Sequence, residues 1–260
     1  MKNKLVLTLS GGMDSSVLLY MAQDRGYDEI HTVTFDYGQR HTRELVCVDK
    51  QIDNFNKQFN GWFNLKVTNK VLDVKYIKDI APTSSLTNKD IDNPDINEMA
   101  GDAQPVSYVP FRNLMFLSIC SSYAESVGAD AVWYGAAQVD SLAGYWDGSE
   151  EFVDMVNEVA HLNRENRIKI EAPLLDMSKA EIIEEGIRLG VKFKDTWTCY
   201  SEGKVKASDK SWELIADATT PSSSMRVKGF VDAGYKDPIT YIQQDKLDKL
   251  YEENNCKECA

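Results

Sequence analysis

The sequence lacks any long apolar run. Nowhere do about 18 or more apolar residues follow one another, as a membrane-spanning helix requires. The apolar stretch near the N-terminus, Leu5 to Leu9, is too short for the core of a secretion signal, so a cytoplasmic protein is expected. Basic residues are in deficit: 29 Lys and Arg stand against 41 Asp and Glu, a formal net charge of -12. A protein that grips a phosphate backbone normally carries a basic face, so no nucleic acid is expected as main partner. A small-molecule substrate fits the charge better. Cysteine is scarce: Cys47, Cys120, Cys199, Cys256 and Cys259. An odd number without a secretion signal is not a disulfide framework. Cys47 and Cys120 lie in helix-like apolar patterns and read as buried thiols. Internal repeats and low-complexity segments are also missing.

What is present is an ordinary globular composition, 43% hydrophobic and 27% charged. A chain of 260 residues can bury a full core as one large domain or a domain with an appendage. Lys4 to Leu9 reads as a short buried strand, followed by a Ser-Gly-Gly turn and an apolar helical pattern from Asp14 to Asp24. His31 to Phe35 is a second strand, Arg43 to Phe59 a helix and Phe63 to Val67 a third strand. Asn113 to Val127 is a strongly apolar helix, Ala131 to Tyr134 a strand, and Ile168 to Ala172 another. A helix from Ser178 to Leu189 opens on Ser178 and Glu181, spaced as a capping box. Strands alternating with helices indicate an α/β fold: a mainly parallel sheet with helices on both faces. Ligands in such folds bind beyond the carboxyl ends of the strands. The polar stretch from Lys75 to Gln104 is expected to be a long loop or lid. Beyond Asp195 the pattern weakens. The expected division is therefore residues 1–195 and a small C-terminal subdomain, 196–260.

The strongest signal is Ser10-Gly11-Gly12-Met13-Asp14-Ser15-Ser16, between the first strand and the first helix. Glycines permit a sharp turn and close approach of a ligand. The following helix aims unpaired N–H groups and its positive dipole end at the turn, which suits a pyrophosphate. Hydroxyls of Ser10, Ser15 and Ser16 are candidate further donors. Asp14 is expected to cap the helix and to help hold Mg2+. The plainer alternative is a tight strand–helix turn with no ligand. The pattern is neither a Walker loop nor a Rossmann fingerprint. It resembles the PP-loop of N-type ATP pyrophosphatases (an adenine nucleotide alpha hydrolase-like fold). That resemblance implies ATP cleaved between its α and β phosphates, with Leu9 to Ser16 seating the departing pyrophosphate.

Later segments narrow the choice: Phe35-Asp36-Tyr37-Gly38-Gln39-Arg40-His41 with Glu44-Leu45, then Ser84-Ser85-Leu86-Thr87, then Tyr108-Val109-Pro110-Phe111-Arg112-Asn113. Gly135-Ala136-Ala137-Gln138-Val139-Asp140, Gly144-Tyr145-Trp146-Asp147, Ala172-Pro173-Leu174-Leu175-Asp176-Met177-Ser178-Lys179 and Asp237-Pro238-Ile239-Thr240-Tyr241 follow. In this order and spacing they resemble the 7-cyano-7-deazaguanine synthase family, over nearly the whole chain from Lys4 to Tyr241. The resemblance implies a ligase that joins 7-carboxy-7-deazaguanine and ammonia at the expense of ATP. The carboxylate is adenylated, ammonia gives an amide, and a second activation dehydrates the amide to the nitrile. A homodimer is likewise implied by the family.

Roles can be assigned to matching residues. Phe35, Asp36 and Tyr37 are candidates to frame the adenine and ribose; a loop packed on the sheet is the alternative. Arg112, permanently charged and fork-shaped, could neutralise a phosphate or the substrate carboxylate, or form a surface ion pair. Lys179 could offset charge on the α-phosphate, or be a solvated helix lysine. A guanine-like edge needs acceptors, for which Asp140, Asp147 and Gln138 are candidates. Tyr145 and Trp146 could stack on the heterocycle or pack under a lid.

The family resemblance also implies a structural zinc held by four cysteines, and here the chain departs from it. Thr196-Trp197-Thr198-Cys199-Tyr200 supplies one ligand, and the Arg226-Val227-Lys228-Gly229-Phe230 helix is present. The three cysteines expected before that helix are replaced by Asp217, Thr220 and Ser223. Hydroxyls are poor zinc ligands beside thiolate. Cys256 and Cys259 form a Cys-x-x-Cys pair that could join Cys199 on Zn2+, with Asp217 or His161 as a fourth ligand. Alternatively zinc is lost and packing replaces it, or the tail cysteines form a redox pair.

Three rivals to the full reaction remain on the sequence. The first is the same enzyme arrested at 7-amido-7-deazaguanine. The second is another PP-loop enzyme, acting on tRNA or on a different acid. The third is a non-catalytic nucleotide-binding module.

Overall fold

The structure is a computed structural model that describes residues 3–39, 43–61, 65–88, 90–92, 105–137, 144–165, 167–199, 205–208 and 211–259. Five parallel strands form the main sheet in the order β3-β2-β1-β4-β5: β1 (Lys4–Thr8), β2 (Glu29–Asp36), β3 (Lys66–Asp73), β4 (Ala131–Trp133) and β5 (Lys169–Glu171). Every neighbouring pair in this sheet is parallel. The helices are α1 (Met13–Asp24), α2 (Arg43–Gln58), α3 (Ile77–Ile80), α4 (Arg112–Val127), α5 (Glu150–Ala160) and α6 (Lys179–Leu189). The C-terminal elements follow: β6 (Val205–Ser208), β7 (Ser211–Ala216), α7 (Pro221–Asp232), β8 (Thr240–Tyr241) and α8 (Gln244–Glu253). β6, β7 and β8 form a separate three-stranded sheet.

Alternation along the strands builds two cores, one on each sheet face. Leu5 and Leu7 of β1 join Val17, Leu18, Phe55 and Ile182 from α1, α2 and α6. Val6, between them, points to the other face and meets Leu117, Cys120 and Phe152 from α4 and α5. Ala131 and Trp133 take the first face while Val132 takes the second. Helices therefore cover both faces, as the strand–helix alternation predicts. The Ser178 capping box forms: Ser178 Oγ accepts from Glu181 N, and Ser178 N donates to Glu181 Oε2 at 2.7 Å. Among the described residues no helix is long and apolar enough to cross a membrane.

Three elements differ from expectation. β3 runs over Lys66–Asp73 rather than Phe63 to Val67; Phe63 lies outside the described residues. β3 is an edge strand with a largely exposed, polar sequence, so apolar alternation does not mark it. α5 was not among the expected elements, although Phe152, Val153, Val156 and Ala160 recur at helical spacing and pack on the second core. The stretch from Lys75 to Gln104 is partly built structure: α3 opens it, and Ser84, Ser85 and Leu86 are buried. Ser85 N donates to Val106 O at 3.0 Å and Ser84 Oγ to Ser107 O at 3.1 Å, which docks this segment as a wall. Residues 93–104 lie outside the description.

Candidate active site

A cavity of about 270 Å³ opens at the carboxyl ends of β1, β2 and β4. Thr8 and Leu9 come from β1 and its exit, Val33 and Phe35 from β2, and Tyr134 to Ala136 from the exit of β4. This is where a parallel α/β sheet places ligands, because the strand ends and helix N-termini converge there.

The floor is the Ser10–Ser16 turn. Gly11 has φ +85°, and a Cβ there would stand 2.1 Å from Glu44 O. The glycine is thus demanded by the close pass of α2 as well as by the left-handed backbone. Gly12 has an ordinary φ of -74° and starts α1 with no side-chain cap. The first-turn N–H groups are therefore not covered by a capping side chain, which leaves the positive end of α1 facing the cavity. Leu9, Ser10, Gly12, Met13, Asp14 and Ser15 line it. Gly11 and Ser16 do not. Ser16 is fully buried and its hydroxyl donates to Gly12 O at 2.8 Å, so it braces the turn rather than facing a ligand. Ser10 Oγ and Ser15 Oγ lie 3.1 Å apart, and Ser15 Oγ also donates to Gly12 O at 3.2 Å.

Asp14 does not cap α1, contrary to the sequence reading. It sits inside the first turn, and its Oδ2 accepts from Lys179 Nζ at 2.7 Å. Its Oδ1 is shut off from solvent and has no protein hydrogen-bond partner. A carboxylate oxygen left over at the edge of a glycine turn that lines the cavity suits Mg2+. That ion needs only one or two protein carboxylates when substrate phosphates complete its shell. Lys179 is not a solvated helix lysine; it reaches Asp14 from the start of α6.

Opposite the floor, Arg112 begins α4 immediately after Phe111, which holds a left-handed φ of 54°. The guanidinium lies over the Tyr37 ring at 5.7 Å and donates to Tyr37 Oη at 3.4 Å. Burial raises the Tyr37 phenol, and the nearby Arg112 charge opposes that. Phe35 stacks on Phe116 with centroids 3.9 Å apart and planes 2° from parallel. Asp147 is 3% exposed and lines the cavity. Burial pushes its carboxyl up; Arg112 and the Asn113 N–H, which donates to it, pull the other way. This carboxylate also faces the positive end of α4. Tyr145 Oη and Ser107 Oγ are 2.6 Å apart.

Other expected residues fall elsewhere. Asp36 is absent from the lining; its carboxylate pairs with Lys75 Nζ at 2.7 Å. Trp146 points out of the cavity: its Nε1 donates to Tyr108 Oη at 2.9 Å and its ring meets Phe111 and Phe152 edge-on. Gln138 and Asp140 lie outside the described residues. Conversely, Gln39, Glu44, Ser107, Asn113 and Thr198 line the cavity without having been given a role. Gln39 is 4% exposed and accepts from Tyr37 N at 2.9 Å, which fixes the β2 exit loop. All but Ser107 fall in segments whose motifs drew attention, but no periodicity tells which side chains turn inward.

The cysteines do not assemble. Cys199 packs with Trp197 and Tyr241, and Cys256 joins that cluster from its edge. Cys259 packs instead on the main core. Among the described residues, no three His, Cys, Asp or Glu side chains stand where one metal ion could reach them. Asp217 and His161 therefore supply no fourth ligand, and the residues present do not fit zinc.

A parallel sheet with an uncapped helix start, a glycine turn and a lysine-held aspartate at its carboxyl edge defines a nucleotide-binding α/β protein of the PP-loop kind. The family described as "Queuosine biosynthesis protein QueC" matches residues 4–234. The chain is 38% identical over 244 residues to a 7-cyano-7-deazaguanine synthase of Clostridium kluyveri, covering 92% of this chain and 97% of that one. It is 36% identical to the enzyme of that name from Methanoregula boonei, over 92% of this chain and 99% of the relative. With the Thermoplasma acidophilum protein of the same name it shares 33% over 260 residues, 98% of this chain and 99% of the relative. The chain belongs to the QueC family of 7-cyano-7-deazaguanine synthases.

Proposed function

We propose that the protein converts 7-carboxy-7-deazaguanine, ammonia and ATP to 7-cyano-7-deazaguanine. The observation that carries this reading is the uncapped start of α1, beside Asp14 with one oxygen unspent, at a cavity whose far wall holds Arg112 and Asp147. The Ser10–Ser15 turn seats the β and γ phosphates. A substrate carboxylate oxygen attacks the α-phosphorus and pyrophosphate leaves. Ammonia attacks the acyl carbon and AMP leaves, giving the amide. The amide oxygen then attacks the α-phosphorus of a second ATP and a second pyrophosphate leaves. Loss of AMP and the two amide protons yields the nitrile.

Catalysis here is mainly positioning and charge neutralisation. Lys179 holds Asp14 in place and adds positive charge near the α-phosphate. Asp14, through its unpartnered Oδ1, would hold Mg2+ together with the nucleotide, and the ion would supply neutralisation of phosphate charge. Arg112 orients the substrate carboxylate. Asp147 accepts from the N–H edge of the heterocycle, and Tyr145 borders its ring. Phe35 and Tyr37 border the nucleoside.

Incubation with ATP, ammonia and the acid, followed by product mass, tests the reading. The expected product is the nitrile, with AMP and pyrophosphate formed twice per turnover. An amide, heavier by one water, would mean that the reaction stops after one activation. ATP bound without AMP release would overturn the proposal. By family resemblance we also read the protein as a cytoplasmic homodimer, which light scattering and cell fractionation check.

A further inference from the structure

At the three places where the family resemblance implies zinc-binding cysteines stand Asp217, Thr220 and Ser223. Around the remaining Cys199 the structure builds a different contact. The Cys199 Sγ, 1% exposed at the residue level, lies 3.8 Å from Asp217 O and 3.6 Å from Thr220 Oγ1. Thr220 Oγ1 also donates to Asp217 O at 3.1 Å. The Asp217 carboxylate is engaged elsewhere: its Oδ1 accepts from Thr219 N, Thr219 Oγ1 and Gln243 Nε2 at 2.9, 2.6 and 2.8 Å. Ser223 is buried. A thiol, a hydroxyl and a carbonyl sharing hydrogen bonds make a neutral, packed contact. Zinc would need deprotonated sulfur and a full set of N, S or carboxylate ligands.

Another group ties this region to the nucleotide floor. Arg226 of α7 is fully buried, and its guanidinium makes five hydrogen bonds. Nε donates to Asp237 Oδ2 at 2.7 Å, and Nη2 to Asp237 Oδ1 at 2.9 Å and Phe193 O at 3.1 Å. Nη1 donates to Thr196 Oγ1 at 2.7 Å and Thr198 Oγ1 at 3.2 Å. Asp237 is in turn held by Tyr241 Oη at 2.6 Å. The bracketed segment is the one that touches the phosphate loop: Trp197 N donates to Gly11 O at 3.1 Å, and Thr198 lines the cavity. A planar fork that bonds both a carboxylate and two threonines fixes orientation in a way a point charge does not.

We infer that this protein holds its C-terminal segment against the phosphate loop without zinc, through the buried Arg226–Asp237 pair, so that Arg226 is a positioning residue for the nucleotide. The positioning half rests on the proposed nucleotide site; the zinc half does not.

Zinc in the full-length protein, purified and dialysed, is measured by mass spectrometry of the metal. Thermal unfolding is followed with and without EDTA. The expected result is zinc far below one per chain, no shift in Tm with chelator, and a Cys199→Ser variant that unfolds near the wild-type temperature. Zinc close to one per chain that survives dialysis, or a Tm that drops with EDTA, overturns the zinc half. ATP–Mg2+ binding is measured by calorimetry on Arg226→Lys, and on Tyr241→Phe should the first variant not fold. Roughly tenfold weaker binding in a folded Arg226→Lys is expected, because the ammonium cannot reproduce the fork; Tyr241→Phe should weaken binding in the same direction. A lowered Tm with unchanged ATP affinity would make the pair merely structural and overturn the positioning half. Failure of the wild type to bind ATP would overturn that half together with the nucleotide site, while the metal result would stand by itself.

Discussion

Lys179 Nζ lies 2.7 Å from Asp14 Oδ2, joining the first turns of α6 and α1 across 165 positions of sequence. The pair leaves Asp14 Oδ1 without a protein partner at the mouth of the glycine turn. Two helix starts and two opposite charges thus meet where the nucleotide's phosphates are proposed to lie.

Asp14→Asn should abolish most turnover while leaving the fold intact. The substitution preserves shape but removes the charge that pairs with Lys179 and that the proposed Mg2+ would share. A loss of about a hundredfold or more in kcat is expected, as for removal of one electrostatic contact at a reacting centre. Circular dichroism and steady-state rates check this; undiminished turnover would remove the phosphate-loop assignment.

Gly11→Ala and Gly12→Ala should separate folding from binding. At Gly11 an added Cβ meets Glu44 O at 2.1 Å with φ +85°, so backbone must move. A stability loss of about 3 kcal/mol or more is expected from clash and strain together. At Gly12 the nearest atom to an added Cβ is Ser10 Oγ at 3.2 Å, which can give way. That variant should fold nearly normally and bind ATP more weakly. Urea unfolding and calorimetry give the two readouts, and equal stability losses would contradict the distinction.

The buried Asp147 carboxyl makes stability depend on pH in a defined sense. Its native value lies above the ordinary 3.8 because burial disfavours the charge. The native state therefore holds the proton more tightly than the unfolded chain. The stability this contributes is complete below pH 3.8 and is lost as pH rises through the native value. Asp147→Asn stays neutral, so its Tm should gain on wild type as pH rises across that window. Its affinity for the deazaguanine acid should fall. A Tm difference that is flat with pH would show that Asp147 is not desolvated in solution.

Tyr145→Phe removes the 2.6 Å contact with Ser107 Oγ. A stability loss of about 1 kcal/mol is expected for one net hydrogen bond. The larger effect should fall on KM for the acid, because this bond ties the ring to the docked wall of the cavity. A changed KM for ATP with an unchanged KM for the acid would place Tyr145 on the nucleotide side.

Much of the site was legible where its signals are local. The β1–turn–α1 unit is continuous in sequence, and apolar alternation before two glycines suffices to mark it. The α6 capping box was readable because its two residues lie three positions apart. Asp36 and Asp147 were not distinguishable in this way. Both follow apolar stretches, yet Asp36 turns to Lys75 at the surface side while Asp147 turns into the cavity. Asp36 ends β2 and Asp147 sits in a short 3-10 turn, and in both places side-chain direction depends on which neighbour is packed there.

By itself, the chain's order of residues determined the glycine turn between β1 and α1, the parallel α/β class and the family, because each rests on short-range pattern or on motifs in series. Only the tertiary structure decided that Asp14 serves Lys179 rather than its own helix cap. It likewise decided that Cys199 meets a hydroxyl and a carbonyl rather than two further thiols, and that Arg226 reaches five acceptors drawn from two segments, residues 193–198 and Asp237. The reason is physical: these contacts join positions far apart along the chain. Their partners are set by how helices and loops pack, and periodicity carries no record of that.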